Sequence, residues 1–186
     1  MNIIKYGVLV LLLLFFVNVS KGQHDQKDDD RGYIVKVGDQ APDDFELVLN
    51  DGSKTSLKRL RGNIAVLQFT VSWCSVCREE MPHLESDVWR AYQNKNLVLI
   101  GIDRDEPLAT VQKFHDDMHL SYPLALDPGA AIFGRFADKK SGVTRNAVID
   151  ATGKIVYLTR LYDKKEFDQM VRIIDKLTTT LNANLN

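Results

Sequence analysis

The chain is 186 residues long, contains two cysteines and carries a formal net charge of −1. This length suits one domain with a sizeable core. The nearly neutral charge, without a run of basic residues, argues against nucleic-acid binding.

The N-terminal residues are predicted to direct export. Lys5 precedes an unbroken apolar run at residues 7–17, and a polar stretch with small residues follows it. This order is typical of a secretory signal peptide, which we place at residues 1–22. An uncleaved membrane anchor is the alternative, but the run has 11 residues, whereas a spanning helix needs ~20. The expected location is the periplasm or cell envelope, where disulfides persist.

A folded domain is predicted at residues 34–186. Residues 23–33 are charged and poor in apolar side chains, which predicts a flexible leader ahead of the domain. Two short strand-like runs then flank Asp51 and Gly52, a pair that favours the tight turn of a β-hairpin.

Strands and helices alternate through the middle of the domain. In chain order, the predicted elements are a strand (64–71), a helix (75–94), a strand (97–103), a helix (108–120), a short helix near 130–138, strands at 146–150 and 154–161, and a closing helix from Phe167 to Leu181. The alternation predicts parallel pairing in the middle, and the end predicts a hairpin plus a helix. The expected fold class is therefore α/β, with a mixed central sheet flanked by helices.

The two cysteines, Cys74 and Cys77, are separated by two residues in the segment SWCSVCREEMPHLE. A c-type haem site would need a histidine directly after the second cysteine, where Arg78 stands. Zinc would need two further ligands. His115 and His119 lie four residues apart without an evident third ligand, so we interpret them as solvated helix residues and predict no metal and no cofactor. A structural bridge is the remaining alternative, but it would close a very short loop and remove little unfolded-chain entropy.

The position of the pair favours reactivity. Cys74 is expected at the junction of a buried strand and a helix, where unpaired N–H groups and the helix dipole stabilise a thiolate. Cys77 faces the same side, can close a disulfide with Cys74, and is expected to be the less accessible thiol. A thiolate that attacks a substrate disulfide leaves a mixed disulfide, which the second cysteine resolves.

The same segment resembles the WC-x-x-C-x-x-E-x-P-x-L motif of the TlpA/ResA-like thiol–disulfide oxidoreductases, relatives of the AhpC/TSA redoxins in the thioredoxin superfamily. The resemblance includes VGDQAPDDFEL and DGSKTSLKRLRGNIAVLQF before the motif and VID-x-x-GKIV after it. It implies a thioredoxin-like fold with an N-terminal β-hairpin extension. It also implies that Cys74 is the nucleophile and Cys77 the resolving cysteine, that Trp73 faces the substrate, and that Pro82 bends the active-site helix. Glu80 matches an acid that helps to move protons, and a solvated helix charge is the alternative.

Two positions depart from the family pattern. Gln68 stands six residues before the first cysteine, where relatives carry aspartate or asparagine, and it cannot accept a proton. Thr144 stands at the usual cis-proline position, six residues before the aspartate of VID. A cis bond before a non-proline residue costs about 2.5–4 kcal/mol, so Val143–Thr144 is predicted to be trans or strained in a loop that faces the substrate. Arg145 is predicted either to face the substrate site and stabilise the thiolate or to point to solvent.

The sequence therefore predicts an exported oxidoreductase that reduces disulfides in envelope proteins and is recharged by a membrane-bound electron donor. Oxidant and isomerase roles stay open, because the two residues between the cysteines do not fix the redox potential. A thiol peroxidase is one alternative, since TVSWC echoes the peroxiredoxin Thr-before-Cys motif. A non-enzymatic binding module with a bystander disulfide is the other. The sequence sets no oligomeric state.

Overall fold

A seven-stranded mixed sheet forms the centre of the protein. The computed structural model describes residues 31–185, so the predicted signal peptide and residues 23–30 of the predicted leader lie outside the described part. The strands are β1 (Leu47–Leu49), β2 (Lys54–Thr55), β3 (Ile64–Thr70), β4 (Leu97–Arg104), β5 (Leu124–Asp127), β6 (Arg145–Ile149) and β7 (Ile155–Arg160). The helices are α1 (Ser75–His83), α2 (Leu108–Asp117), α3 (Phe133–Phe136) and α4 (Lys164–Leu185), with a π-helical segment at Leu84–Arg90 and a 3-10 turn at Pro128–Ala130. Among residues 31–185, no helix has the length and apolar character needed to cross a membrane.

The strands lie in the order β2-β1-β5-β4-β3-β6-β7. β3 runs parallel to β4 and β4 parallel to β5, whereas β6 pairs antiparallel with both β3 and β7. β1 pairs antiparallel with β2 and β5, so the predicted hairpin joins one edge of the sheet. The mixed α/β class is therefore confirmed, and β5 is an additional strand beyond those predicted from the sequence.

Both faces of the sheet are covered, which explains the continuous apolar runs of the central strands. Along β3, Leu67 and Phe69 join a core with Phe133 of α3. Ile64 and Val66 instead join the core under α1, α2 and α4. Successive strand residues point to opposite faces, so a strand that is buried on both sides needs apolar residues at nearly every position.

The folded domain begins earlier than predicted. The Tyr33 hydroxyl donates to the Thr159 carbonyl oxygen in β7, with the two oxygens 2.5 Å apart. The guanidinium of Arg31 bonds a carboxylate oxygen of Glu166 in α4 at 2.7 Å. Tyr33 also forms an antiparallel bridge with Ala137. The prediction that residues 31–33 belong to a flexible leader is therefore wrong, because their side chains and backbone bond to distant parts of the sheet and helices.

The helix after the cysteine pair changes its winding. Apolar spacing predicts one helix over residues 75–94, but α1 ends at His83 and π-helical turns follow. Pro82 lies inside α1 and has no N–H to donate, which removes one hydrogen bond of the α-helical pattern. The wider winding begins two residues later, at Leu84. The change in winding therefore comes directly after the proline that the family resemblance identifies, and the bend that it implies stays a prediction.

Candidate active site

Cys74 and Cys77 lie where β3 gives way to α1. Cys74 is the N-cap of α1 with an extended backbone (φ −81°, ψ 108°), and its Sγ accepts the Cys77 N–H at 3.2 Å. The first turn of a helix has N–H groups without intrahelical partners, and one of them is directed at this sulfur. The two cysteines form a disulfide, with Cα atoms 5.3 Å apart.

The two sulfurs differ in accessibility. Cys77 is 0 % exposed, whereas Cys74 is half-buried. Trp73, directly before the pair, leaves 77 % of its surface exposed. An incoming group can therefore reach Cys74 first, and the expectation that Cys77 is the less accessible thiol is confirmed.

Ser72 anchors the segment that leads into the cysteine pair. Glu106 accepts hydrogen bonds from both the N–H and the hydroxyl of Ser72, each at 2.7 Å. Arg78 Nη1 donates to the Ser72 carbonyl oxygen at 3.0 Å. The backbone before Cys74 is therefore held from both sides. No sequence pattern marks Glu106, which lies 34 residues from Ser72 in a loop without a motif.

Glu80 is buried rather than solvated. Only 1 % of its surface is exposed, and its Oε1 accepts a hydrogen bond from Asn146 Nδ2 at 2.6 Å. The same amide donates to Thr159 Oγ1 at 2.9 Å. Burial raises the pKa of Glu80 to about 7, and the Asn146 hydrogen bond opposes that rise. The alternative of a solvated helix charge is therefore wrong. Asn146 and Thr159 are partners that no sequence motif marks.

Further polar groups are buried on the face of the sheet to which the Gln68 side chain belongs. The Tyr122 hydroxyl donates to Gln68 Oε1 at 2.9 Å. Thr70 and Asp103 pair in register on β3 and β4, and both are 0 % exposed. Within residues 31–185, the Thr70 hydroxyl and both Asp103 carboxylate oxygens have no hydrogen-bond partner. Burial, followed by the negative charge of Glu106, raises the pKa of Asp103 to about 8.

Thr144 lies directly against the disulfide. Its Oγ1 is 3.2 Å from the Sγ of Cys74 and 3.2 Å from the Sγ of Cys77. Its side chain is closed off from solvent, with 2 % exposed. No peptide bond in residues 31–185 is cis, so Val143–Thr144 is trans, which is one of the two predicted outcomes.

Arg145 faces the interior, and neither predicted orientation is correct. It is 0 % exposed, so it is neither substrate-facing nor directed to solvent. Nη1 donates to the Arg31 carbonyl oxygen at 2.7 Å, and Nη2 donates to Ser141 Oγ at 2.6 Å. The guanidinium also lies over the Tyr33 ring, 4.6 Å from its centroid. The register opposite Phe69 places Arg145 on the α3 side of the sheet, where an aromatic ring and polar acceptors surround its charge.

The two histidines do not share a helix face. His115 lies in α2, and its Nε2 is 3.2 Å from the Tyr122 carbonyl oxygen. His119 follows the end of α2 in a left-handed conformation (φ 51°). The interpretation of both as solvated helix residues therefore holds only in part, because His115 is a helix residue that is partly buried and His119 is exposed but lies beyond the helix. In the part of the chain that the structure describes, no three His, Cys, Asp or Glu side chains are grouped to hold a metal ion.

Several known proteins are similar to this chain in sequence and fold. Residues 37–158 match the AhpC/TSA family. The thiol-disulfide oxidoreductase ResA of Bacillus thuringiensis subsp. konkukian is 30 % identical over 156 residues, which cover 80 % of this chain and 85 % of that protein. The solution structure of a candidate protein disulfide isomerase from Bacteroides thetaiotaomicron is 50 % identical, with a TM-score of 0.77 over 80 % of this chain and 93 % of that one.

A third likeness concerns the fold alone. The thioredoxin domain of a thiol-disulfide oxidoreductase from Bacteroides vulgatus has a TM-score of 0.65 at 20 % identity, over 75 % of this chain and 99 % of that one. Together with the disulfide-linked pair at the start of α1, these likenesses confirm the predicted thioredoxin-like fold and the TlpA/ResA-like resemblance. The chain belongs to the AhpC/TSA family and is a thiol–disulfide oxidoreductase of the ResA type.

Proposed function

We propose that this oxidoreductase reduces disulfides in envelope proteins, with Cys74 as the nucleophile and Cys77 as the resolving cysteine. The asymmetry of the pair supports these roles. Cys74 is half-buried, caps α1 and receives a backbone N–H, whereas Cys77 is fully buried. Only Cys74 combines access for an incoming disulfide with a donor that stabilises its thiolate.

The cycle begins when the Cys74 thiolate attacks one sulfur of the client disulfide. The other client sulfur leaves as a thiolate and takes up a proton. Cys77 then loses its proton, and its thiolate attacks the Sγ of Cys74. This step breaks the mixed disulfide, forms the Cys74–Cys77 bond and releases the second client thiolate, which is also protonated. Two electrons thus pass to the client, and the protons that its thiols gain balance those that the two cysteines lose.

We assign Glu80 as the group that accepts the proton lost by Cys77. The two residues are three apart on α1, so they occupy neighbouring positions of one helix face. Both are buried, which keeps bulk water from serving Cys77 directly. A carboxyl with a pKa of about 7 is divided between its acid and base forms at neutral pH, so it can take the proton and give it back.

We assign client contact to Trp73, whose exposed ring lies beside Cys74.

We infer export from the apolar run at residues 7–17, ahead of the described part of the chain. An exported enzyme is separated from cytosolic dithiols, so we assign its recharging to a membrane-bound electron donor. Intact-mass measurement of periplasmic and membrane fractions tests export: a chain starting near Gln23 in the periplasm supports it, and a retained N-terminus in the membrane contradicts cleavage.

Disulfide isomerisation is a second candidate, because the 50 % identical Bacteroides thetaiotaomicron protein is described as a candidate protein disulfide isomerase. Both activities start with attack by Cys74. They differ in the release step, since an isomerase can be released by a second thiol of the client, whereas a reductase needs Cys77.

Insulin reduction with dithiothreitol as donor, run beside reactivation of scrambled ribonuclease, separates these functions. We expect Cys77→Ser to abolish catalytic insulin reduction and to accumulate a mixed disulfide through Cys74, seen by mass spectrometry. Cys74→Ser is the matched control and should trap no client; trapping by this variant alone would mean that the roles are reversed. Ribonuclease reactivation that survives Cys77→Ser would favour the isomerase. Peroxide consumption faster than insulin reduction would favour a thiol peroxidase.

A further inference from the structure

Thr144 offers a single hydroxyl to both sulfurs of the redox pair. Its Oγ1 is 3.2 Å from each Sγ, and its side chain is 2 % exposed. A threonine hydroxyl has one proton to donate and two lone pairs that accept. It can therefore donate to one sulfur while it accepts from the other, without moving out of the site.

The backbone around Thr144 is fixed although no proline is present. The Thr144 carbonyl oxygen accepts from the Leu161 N–H at 3.0 Å and from Arg160 Nη1 at 3.3 Å. Three residues earlier, the Ser141 carbonyl oxygen accepts from Arg104 Nη1 at 3.2 Å. Donors from the ends of β4 and β7 thus hold the loop that presents the hydroxyl, so its place between the sulfurs is set by the fold.

We propose that Thr144 is a catalytic residue, whose hydroxyl donates a hydrogen bond to the Cys74 thiolate in the reduced enzyme and turns to Cys77 during resolution. The proposal deepens the proposed function and rests on it. In the reduced pair, the negative charge lies on Cys74, so the hydroxyl donates there and accepts from the Cys77 thiol. Once Cys74 is bonded to the client, it carries no charge. Cys77 then becomes the thiolate, and the same proton of Thr144 can stabilise it.

A hydrogen bond to a charged group is stronger than one between neutral groups. Thr144 shares this role with the Cys77 N–H, which also donates to Cys74. The charged groups on the elements around the site include Arg78 and Glu106 at Ser72, Arg160 at the Thr144 carbonyl, Arg104 and Arg145 at Ser141, and Glu80 on α1. Substitutions confined to the Thr144 side chain leave all of them in place, so the hydroxyl can be tested alone.

The experiment compares two pairs of proteins. Wild type and Thr144→Val form the first pair, which differs in the hydroxyl at nearly constant side-chain shape. Thr144→Ser and Thr144→Ala form the second pair, which differs in the hydroxyl when the methyl group is absent from both. Each reduced protein is alkylated with iodoacetamide across a pH series, with Cys74 labelling followed by mass spectrometry. The reduction potential of each is measured in glutathione buffers.

We expect both Thr144→Val and Thr144→Ala to move the midpoint of Cys74 alkylation up by about one pH unit, a roughly tenfold loss of thiolate. A tenfold loss of stabilisation in the reduced form makes a two-electron potential about 30 mV more negative. Thr144→Ser should stay close to wild type in both measurements. If Thr144→Val does not fold, the serine and alanine variants still provide the contrast.

Two results would overturn the role of Thr144. One is an unchanged midpoint and potential in the variants without the hydroxyl. The other is a serine variant that behaves like alanine, because packing of the methyl group would then explain the effect. Neither result touches the proposed function, which fails separately if wild type does not reduce insulin.

Discussion

The substitution Glu80→Gln is expected to stabilise the oxidised protein at alkaline pH and to leave its stability unchanged in acid. Burial raises the pKa of Glu80 from 4.5 to about 7, so the folded state binds this proton more tightly than the unfolded state does. The stabilising contribution of the proton is complete below about pH 4.5 and is lost as the pH rises through about 7. Glutamine stays neutral throughout and keeps an oxygen to accept from Asn146.

The expected difference follows from the size of that rise. A change from 4.5 to about 7 corresponds to roughly 3 kcal/mol at about 1.4 kcal/mol per unit. With a urea dependence of about 2 kcal/mol per M, the variant should unfold at about 1.5 M more urea than wild type above pH 8 and at the same concentration near pH 4.5. Urea unfolding of the oxidised proteins isolates Glu80, because the disulfide-bonded cysteines do not titrate and Asp103 is present in both.

A stability difference between the two proteins that does not change with pH would refute this reasoning. It would mean that Glu80 ionises alike in the folded and unfolded states, and Glu80 would then lose its assignment as the acceptor of the Cys77 proton. Glu79→Gln is the matched control, since Glu79 is the neighbour of Glu80 in sequence and its side chain is exposed. That variant should show no pH-dependent gain.

Three further predictions concern other parts of the domain. Asp103→Asn should raise the urea midpoint at about pH 9 and not at about pH 3, because burial raises the pKa of Asp103 from 3.8 to about 8. Tyr33→Phe should lower the free energy of unfolding by about 1–2 kcal/mol, measured with urea, because the Thr159 carbonyl loses a donor. Trp73→Ala should raise the KM for insulin while changing stability by less than about 0.5 kcal/mol, since the ring is exposed.

The cysteine pair and its place between a strand and a helix could be predicted because local patterns determine them. The apolar run of β3 requires burial on both faces, and a strand followed by an amphipathic helix places Cys74 at a helix N-terminus. The spacing of the two cysteines then limits the kinds of site that the pair can form. By contrast, β5 has four residues between Pro123 and Pro128, too few for an alternation or a helical repeat to show.

The polar network could not be predicted, since its members are far apart in sequence. Asn146 reaches Glu80 from 66 residues away, across the fold from β6 to α1, the helix that follows the paired strand β3. The interior position of Arg145 escaped prediction for a related reason. A buried arginine needs acceptors and aromatic faces, and these come from Arg31, Tyr33 and Ser141, in a stretch whose composition suggests disorder and in a loop without a motif.

The contacts of Arg31 and Tyr33 restrict how the protein can be shortened for laboratory use. A recombinant form that starts at Ile34 would lose the carbonyl oxygen that Arg145 bonds and the phenol that bonds Thr159. Arg145 directly follows Thr144, so such a truncation would disturb the loop at the disulfide as well as the chain end. Purification tags and fusion partners should therefore be attached upstream of Arg31 or after α4.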